Sequence, residues 1–249
     1  MTETMSKSKN SIIHVLIPHY NYIEGVKRTE KTLSPHTKRF FVTISDDSPK
    51  FICKNHPNWI KGPSAGATKN WNFLLSKTKS SHCMLVHQDE DIVLLDQSHP
   101  YQLKTNVIYV CDLILAKKKY KIHLSAKLRC FLMNTFPTLI FRINFIGPTA
   151  SLIIPKNSLR FNEELNWLVD VDYYYRLSQS YRFERFEGIK IHSNVDIGGS
   201  ITNSGYLGSI PALRNKELSI LGIPQRRCFS YLIRIAWRLY RNYNTRKGK

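Results

Sequence analysis

The 249 residues carry 37 Lys+Arg against 18 Asp+Glu, a formal charge of +19, and 42% of them are hydrophobic. Disordered and collagen-like classes are excluded, and a chain this long buries roughly 70–75% of its unfolded surface on folding, enough for an enzyme core. Cys53, Cys83, Cys111, Cys130 and Cys228 form an odd set with no Cys-x-x-Cys pair and no close histidine, which argues against a disulfide framework or structural zinc and for a reducing compartment.

In chain order, residues 1–10 read as a flexible N-terminus. Lys7 and Lys9 precede an apolar run, Ile12 to Ile17, that is too short for an export signal. Ser11 to Ile17 and Arg39 to Ile44 are β-branched runs that end in polar loops, Pro18-His19-Tyr20-Asn21 and Ser45-Asp46-Asp47-Ser48-Pro49, and a helix fits between them. Gly62 to Gly66 is a turn before a helix over 67–77, with Trp71, Leu74 and Leu75 on one stripe. Met84 to Val86 is a further strand ending in His87-Gln88-Asp89-Glu90-Asp91. The stretch 101–146 mixes helical and strand signals. Within it, Phe131 to Ile146 is the nearest approach to the ~18 uninterrupted apolar residues of a membrane span, but Asn134, Pro137 and Arg142 interrupt it and it reads as buried core.

Strands alternating with helices predict an α/β fold with a mostly parallel sheet and flanking helices, whose ligands bind at the carboxyl ends of the strands. The predicted organisation is a domain over 11–210, in two halves at 11–95 and 96–210, followed by a basic segment at 211–249. Arg226 to Lys249 contains eight Lys/Arg and no acid, with Phe229, Leu232, Ile233, Ala236, Trp237, Leu239, Tyr240 and Tyr243 near helical spacing. That pattern predicts a basic amphipathic helix lying on an anionic membrane surface; a helix packed on the domain is the alternative.

Acids crowd two of the loops in an otherwise basic chain: Asp46 and Asp47 in one, Asp89, Glu90 and Asp91 in the other. Hard divalent ions take carboxylate oxygens, and Mn²⁺ or Mg²⁺ is commonly held by one or two carboxylates plus substrate phosphates. Asp89 and Asp91 at a strand end suit such an ion; a solvated acidic turn is the plainer reading.

With these segments in view, the chain resembles glycosyltransferase family 2, inverting enzymes of the Rossmann-like GT-A fold, particularly bacterial members that build O-antigen, capsule and related surface glycans. The match runs from about Ile12 to Gly205. His14 to Asn21 resembles the family's first strand and Pro-x-Tyr-Asn turn, Val42 to Ser48 its Asp-Asp strand end, Gly66 to Asn72 the helix start after its glycine loop, and Leu85 to Ile92 its Asp-x-Asp element. Asn144 to Ile154 is similar to the acceptor-side loop and strand, and Phe161 to Leu165 with Val169 to Leu177 to the segment that carries the catalytic base. The resemblance implies a nucleotide site of Pro18, Tyr20, Asn21, Asp46, Asp47, Lys69, Asn70, Gln88 and Asp89, with Asp89 and Asp91 on Mn²⁺ or Mg²⁺. It implies Asp170 or Asp172 as base, and Gly147, Trp167 and His192 on the acceptor or lid side. His87 stands where many relatives have an acid, and Pro49 follows Ser48 where a glycine is usual.

The implied reaction is transfer of one sugar, with inversion, from a UDP- or dTDP-sugar to a lipid-linked or oligosaccharide acceptor at the cytoplasmic face of the membrane. A carboxylate suits the work of taking the acceptor proton, and a divalent ion suits the growing charge of the diphosphate leaving group. Two other readings stay open: a basic nucleic-acid-binding protein, which has no use for the acidic loops, and an inactive transferase-like membrane scaffold.

Overall fold

Near-continuous apolar runs predict strands covered on both faces, and the computed structural model, which describes residues 11–50, 56–95, 101–117, 120–194 and 210–223, contains them. The strands are β1 (Ile13–His19), β2 (Phe40–Asp46), β3 (Trp59–Lys61), β4 (His82–Leu85), β5 (Glu90–Leu94), β6 (Val107–Lys117), β7 (Tyr120–Leu124), β8 (Leu152–Pro155) and β9 (Arg182–Asn194). The helices are α1 (Ile23–Leu33), α2 (Ala67–Ser76), α3 (Ala126–Thr135), α4 (Val169–Ser178) and α5 (Ile210–Ile220).

All nine strands join one curled sheet in the order β3-β2-β1-β4-β8-β6-β9-β5, with β7 paired to β6. The predicted α/β class is what the structure has. Pairing is parallel from β3 through β4 and again between β6 and β9, while β8, β7 and β5 run antiparallel to their neighbours. Two apolar layers sandwich the sheet. One contains Ile13, Val15, Ile17, Val26, Met84, Ile189 and Ile191; the other contains Leu16, Leu74, Leu85, Ile108, Tyr174, Phe183 and Leu218.

The unresolved stretch 101–146 becomes β6, β7, α3 and a 3-10 turn over Pro137–Phe141. The expectation that 131–146 is all core needs correction, because Phe131 and Phe136 are exposed while Met133, Ile140, Phe141, Phe145 and Ile146 are buried. The physical reason is Arg129. This buried side chain turns inward and donates to the carbonyls of Ile146 and Cys111 and to Ser151 Oγ, so it rotates the helix's apolar side partly outward. The predicted helix over 226–249 and residues 1–10 and 195–209 lie outside the described residues. Among the described residues, no helix is long and apolar enough to cross a membrane.

Candidate active site

Parallel register brings the ends of β1 and β2 side by side, with His19 opposite Asp46. His19 Nε2 accepts from the Tyr22 backbone N–H at 3.2 Å, so the ring proton sits on Nδ1, which meets Asp46 Oδ1 at 2.9 Å. Asp46 also accepts from Ser48 N at 3.0 Å and is only 1% exposed. Asp46 therefore fastens the second loop from behind. Its neighbour Asp47 stays partly exposed and accepts from Ser64 N, and a Cβ on Gly62 would collide with its carboxylate.

Of the other predicted nucleotide residues, Tyr20 is 57% exposed beside the partly exposed Pro18, and Asn21 takes a left-handed backbone, φ 55°. Lys69 is exposed on the first turn of α2. Asn70, by contrast, is buried and exchanges hydrogen bonds with Ser45, so it ties α2 to the end of β2. Gln88 clamps the first loop: its Oε1 accepts from Tyr20 N at 3.1 Å and its Nε2 donates to Tyr20 O at 3.2 Å.

Past β4 the chain makes a tight turn in which Glu90 N donates to His87 O and His87 N donates to Glu90 Oε2 at 2.8 Å. Ligand atoms of His87, Asp89 and Glu90 come within 4.8 Å of one another. Glu90 is 2% exposed; burial and the charges of Asp89 and Asp91 push its carboxyl well above the usual range. Burial also lowers the pKa of His87, which keeps the imidazole neutral and able to ligate, and its buried Nε2 has no hydrogen-bond partner. A divalent ion fits this group, since an orphaned ring nitrogen and two carboxylates are a ready donor set.

The sequence reading pairs Asp89 with Asp91, whereas the structure joins Asp89 to His87 and Glu90. The difference arises because Asp89 lies in the turn before β5 and not in the strand, where it comes near His87 and Glu90, while Asp91, next to Glu90 in β5, points to the opposite face. Both oxygens of Asp91 are engaged, one by Arg28 Nε at 2.9 Å and the other by Asn194 Nδ2 at 3.1 Å.

The second half contributes the first turn of α4. Asp170 Oδ2 accepts from Asn144 Nδ2 at 2.7 Å, and burial pushes the carboxyl up to about 6. Asn144 is itself locked by Gly147 N and Gly147 O, and the Gly147 carbonyl also takes the Tyr174 hydroxyl at 3.1 Å. Gly147 needs to be glycine, because its φ is 86° and a Cβ would strike Leu113. From this turn Thr149 donates to the Leu85 carbonyl at the end of β4 at 3.3 Å, so the two halves of the site adjoin, and burial, then the charges of Asp170 and Glu90, raise the pKa of Tyr174.

Asp172 is placed differently. It is buried and bound by Arg176 at 2.8 Å. Trp167 is partly exposed, and its backbone N–H, with those of Asn166 and Leu168, donates to the buried Glu217 of α5 at 2.7–3.1 Å. His192 pairs in register with Asp91. Sequence reasoning did not single out His87, Glu90, Asn144 or Glu217 for these places. The turn before β5 was the available signal for Glu90; nothing local marks Glu217.

Solved structures follow part of this backbone course. The chain is similar to Staphylococcus aureus TarS (residues 1–349), free and in complex with UDP, at 14% identity over 74% of this chain and 60% of that one, TM-score 0.49. It is also similar to the mannosyltransferase PcManGT from Pyrobaculum calidifontis in complex with GDP-Man and Mn²⁺, at 11% identity over 77% and 59% of the two chains, TM-score 0.49. The chain thus spans about three-fifths of the length of these structures. No family model matches the chain, and no curated protein matches it in sequence.

Proposed function

We propose that the protein is an inverting, metal-dependent glycosyltransferase that moves one sugar from a nucleotide donor to a hydroxyl acceptor. The observation that carries this reading is the joining of two unlike acidic centres. One is a His87/Asp89/Glu90 cluster at a strand end; the other is a lone, proton-affine Asp170 on a helix start next to it. A carboxyl whose pKa lies near working pH is suited to accept a proton, and Asn144 Nδ2 on Oδ2 with Val171 N on Oδ1 fixes the orientation of this one. The Asp170 carboxylate takes the acceptor's hydroxyl proton as the acceptor oxygen attacks the anomeric carbon from the face opposite the leaving diphosphate. Asp172 is the weaker choice, because Arg176 already neutralises it.

A divalent ion, when bound by His87, Asp89 and Glu90, supplies positive charge to the leaving diphosphate. One imidazole nitrogen with two carboxylates favours Mn²⁺ over Mg²⁺. Tyr20 offers a ring for the base, and Asp47 and Lys69 line the same open side. The surface-glycan pathway, a lipid-linked or oligosaccharide acceptor and peripheral association with an anionic membrane belong to this proposal on the strength of the motif resemblance and the basic C-terminal segment.

Calorimetric titration of UDP, dTDP and GDP, each with and without Mn²⁺, into wild type and Asp89→Ala tests the reading. Mn²⁺-dependent binding of one nucleotide, weakened at least tenfold in the variant, is expected. Failure of all three to bind wild type would overturn the proposal.

A further inference from the structure

The ring of His87 is held in an unusual way. A histidine that ligates a metal ordinarily donates its second ring N–H to a carboxylate, a carbonyl or water, and that hydrogen bond fixes both tautomer and ring orientation. Among the described residues neither nitrogen of His87 has such a bond: Nε2 is buried without a partner, and Nδ1 lies 4.0 Å from Glu90 Oε2, beyond hydrogen-bond reach.

What touches the ring instead is Trp71 of α2. The two rings stack with centroids 5.0 Å apart and planes 30° from parallel, within the range of a favourable offset stack. Trp71 is in turn pinned. Phe161 meets it edge-on at 5.2 Å, and Phe161 itself stacks on Tyr173 of α4 at 4.0 Å. Asn72, buried beside Trp71 in α2, fixes the Phe161 backbone: its Nδ2 donates to Phe161 O at 3.0 Å and its Oδ1 accepts from Phe161 N at 2.8 Å. The indole therefore offers the imidazole a flat, fixed wall.

We propose that Trp71 is a positioning residue for the candidate metal site: its face sets the plane of the His87 ring, so that a ring nitrogen, Asp89 and Glu90 converge on one ion. The inference rests on the metal reading above and adds to it a residue outside the acid run. Stacking suits this task, because it restrains the tilt of the ring and leaves both nitrogens free, whereas a hydrogen bond would occupy one of them. Loss of the wall removes no ligand atom. It lets the ring swing, and restraint by such an outer partner is commonly worth about 10–100-fold in metal affinity.

The test titrates the full chain with Mn²⁺ alone, counting free ion by electron paramagnetic resonance. Trp71→Leu, which fills space without a ring, should weaken binding about tenfold or more, while Trp71→Phe, which keeps a ring, should stay within about threefold of wild type. Leu75→Ala is the control. Leu75 is partly buried against the same core layer one helical turn further on, and its truncation should lower the melting temperature yet change Mn²⁺ affinity less than about twofold. Binding as tight in Trp71→Leu as in wild type, or an equal loss in Leu75→Ala, would overturn the proposal. A second readout needs only Trp71→Phe: Mn²⁺ quenches a neighbouring indole, so wild-type tryptophan emission should fall on titration and this variant should lose most of that response while still binding the ion. A response that survives in Trp71→Phe puts the ion away from Trp71 and also overturns the proposal. If wild type binds no Mn²⁺, the metal reading falls and Trp71 is ordinary core packing; if wild type and Trp71→Leu bind it equally, the metal reading stands and only the positioning role falls.

Discussion

Asp170 and Asp172 show how two carboxylates one helical step apart are given different work. Arg176 compensates Asp172, while desolvation without a cation raises Asp170 from 3.8 to about 6. As a base Asp170 must be ionised, so turnover should rise with pH through about 6, with that acid limb visible in kcat. Asp170→Asn should cut kcat by about 10²–10⁴-fold and leave nucleotide binding within a few-fold. The sign of its stability effect is the reverse of a typical loss. A folded pKa above the unfolded one means that the ionised carboxylate destabilises the fold at neutral pH, so Asp170→Asn should melt no lower than wild type at pH 7.5. Full activity in the variant would assign the proton to another group.

At the scale of elements, two contacts set the site's geometry from outside it. Gly25 of α1 sits so close to the Gln88 carbonyl that a Cβ there would overlap the backbone oxygen. Gly25→Ala must push α1 off the His87–Gln88 turn; a cost of about 1–3 kcal/mol and a weakened Mn²⁺ site are expected, read by melting and by metal titration. Glu217 is the second. Its buried carboxylate accepts from three consecutive N–H groups, those of Asn166, Trp167 and Leu168, in the segment that leads into α4, the last of them the helix's N-cap. Glu217→Ala should destabilise by about 1–3 kcal/mol, since these donors lose their partner. It should also lower kcat more than it raises the donor KM, because α4 carries Asp170 and not the nucleotide contacts.

These elements also show what a sequence can reveal. β1, β2, α2 and β4 are bounded by turn residues and announce themselves locally. β6 does not, since its pairing depends on β8 and β9 far along the chain and its register with β9 shifts between Cys111 and Asp112. The place of Asp170 at a helix start was legible through its motif. The grouping of His87 with Asp89 and Glu90 was not, because it depends on where the turn ends and β5 begins.

At the scale of the whole molecule, the start of β1, an interior strand of the sheet, holds a different kind of titratable group. His14 is fully buried between Thr43 Oγ1 at 2.8 Å and the Lys79 backbone N–H at 3.0 Å, and burial, aided by Lys79, lowers its pKa to about 4. The unfolded chain binds a proton at that histidine from pH 6.5 downward while the folded chain refuses it until about 4. Stability from this residue is thus present above pH 6.5 and is lost as pH falls toward 4. His14→Gln should flatten the decline in melting temperature between pH 7 and pH 5 relative to wild type; an unchanged slope would place the acid sensitivity elsewhere.

The hydrogen bond between Asn194 and Asp91 spans 103 residues of sequence. During synthesis β5, with the acids that precede and open it, leaves the ribosome long before β9 exists to pair with it. Until then the strand has an open edge beside Asp89 and Glu90, with Asp91 answered by Arg28 of the earlier α1, and that crowding of acids discourages pairing with a second nascent chain. The acid run would then serve biogenesis before it serves chemistry: the same repulsion that later invites a cation keeps an unfinished sheet from finding the wrong partner.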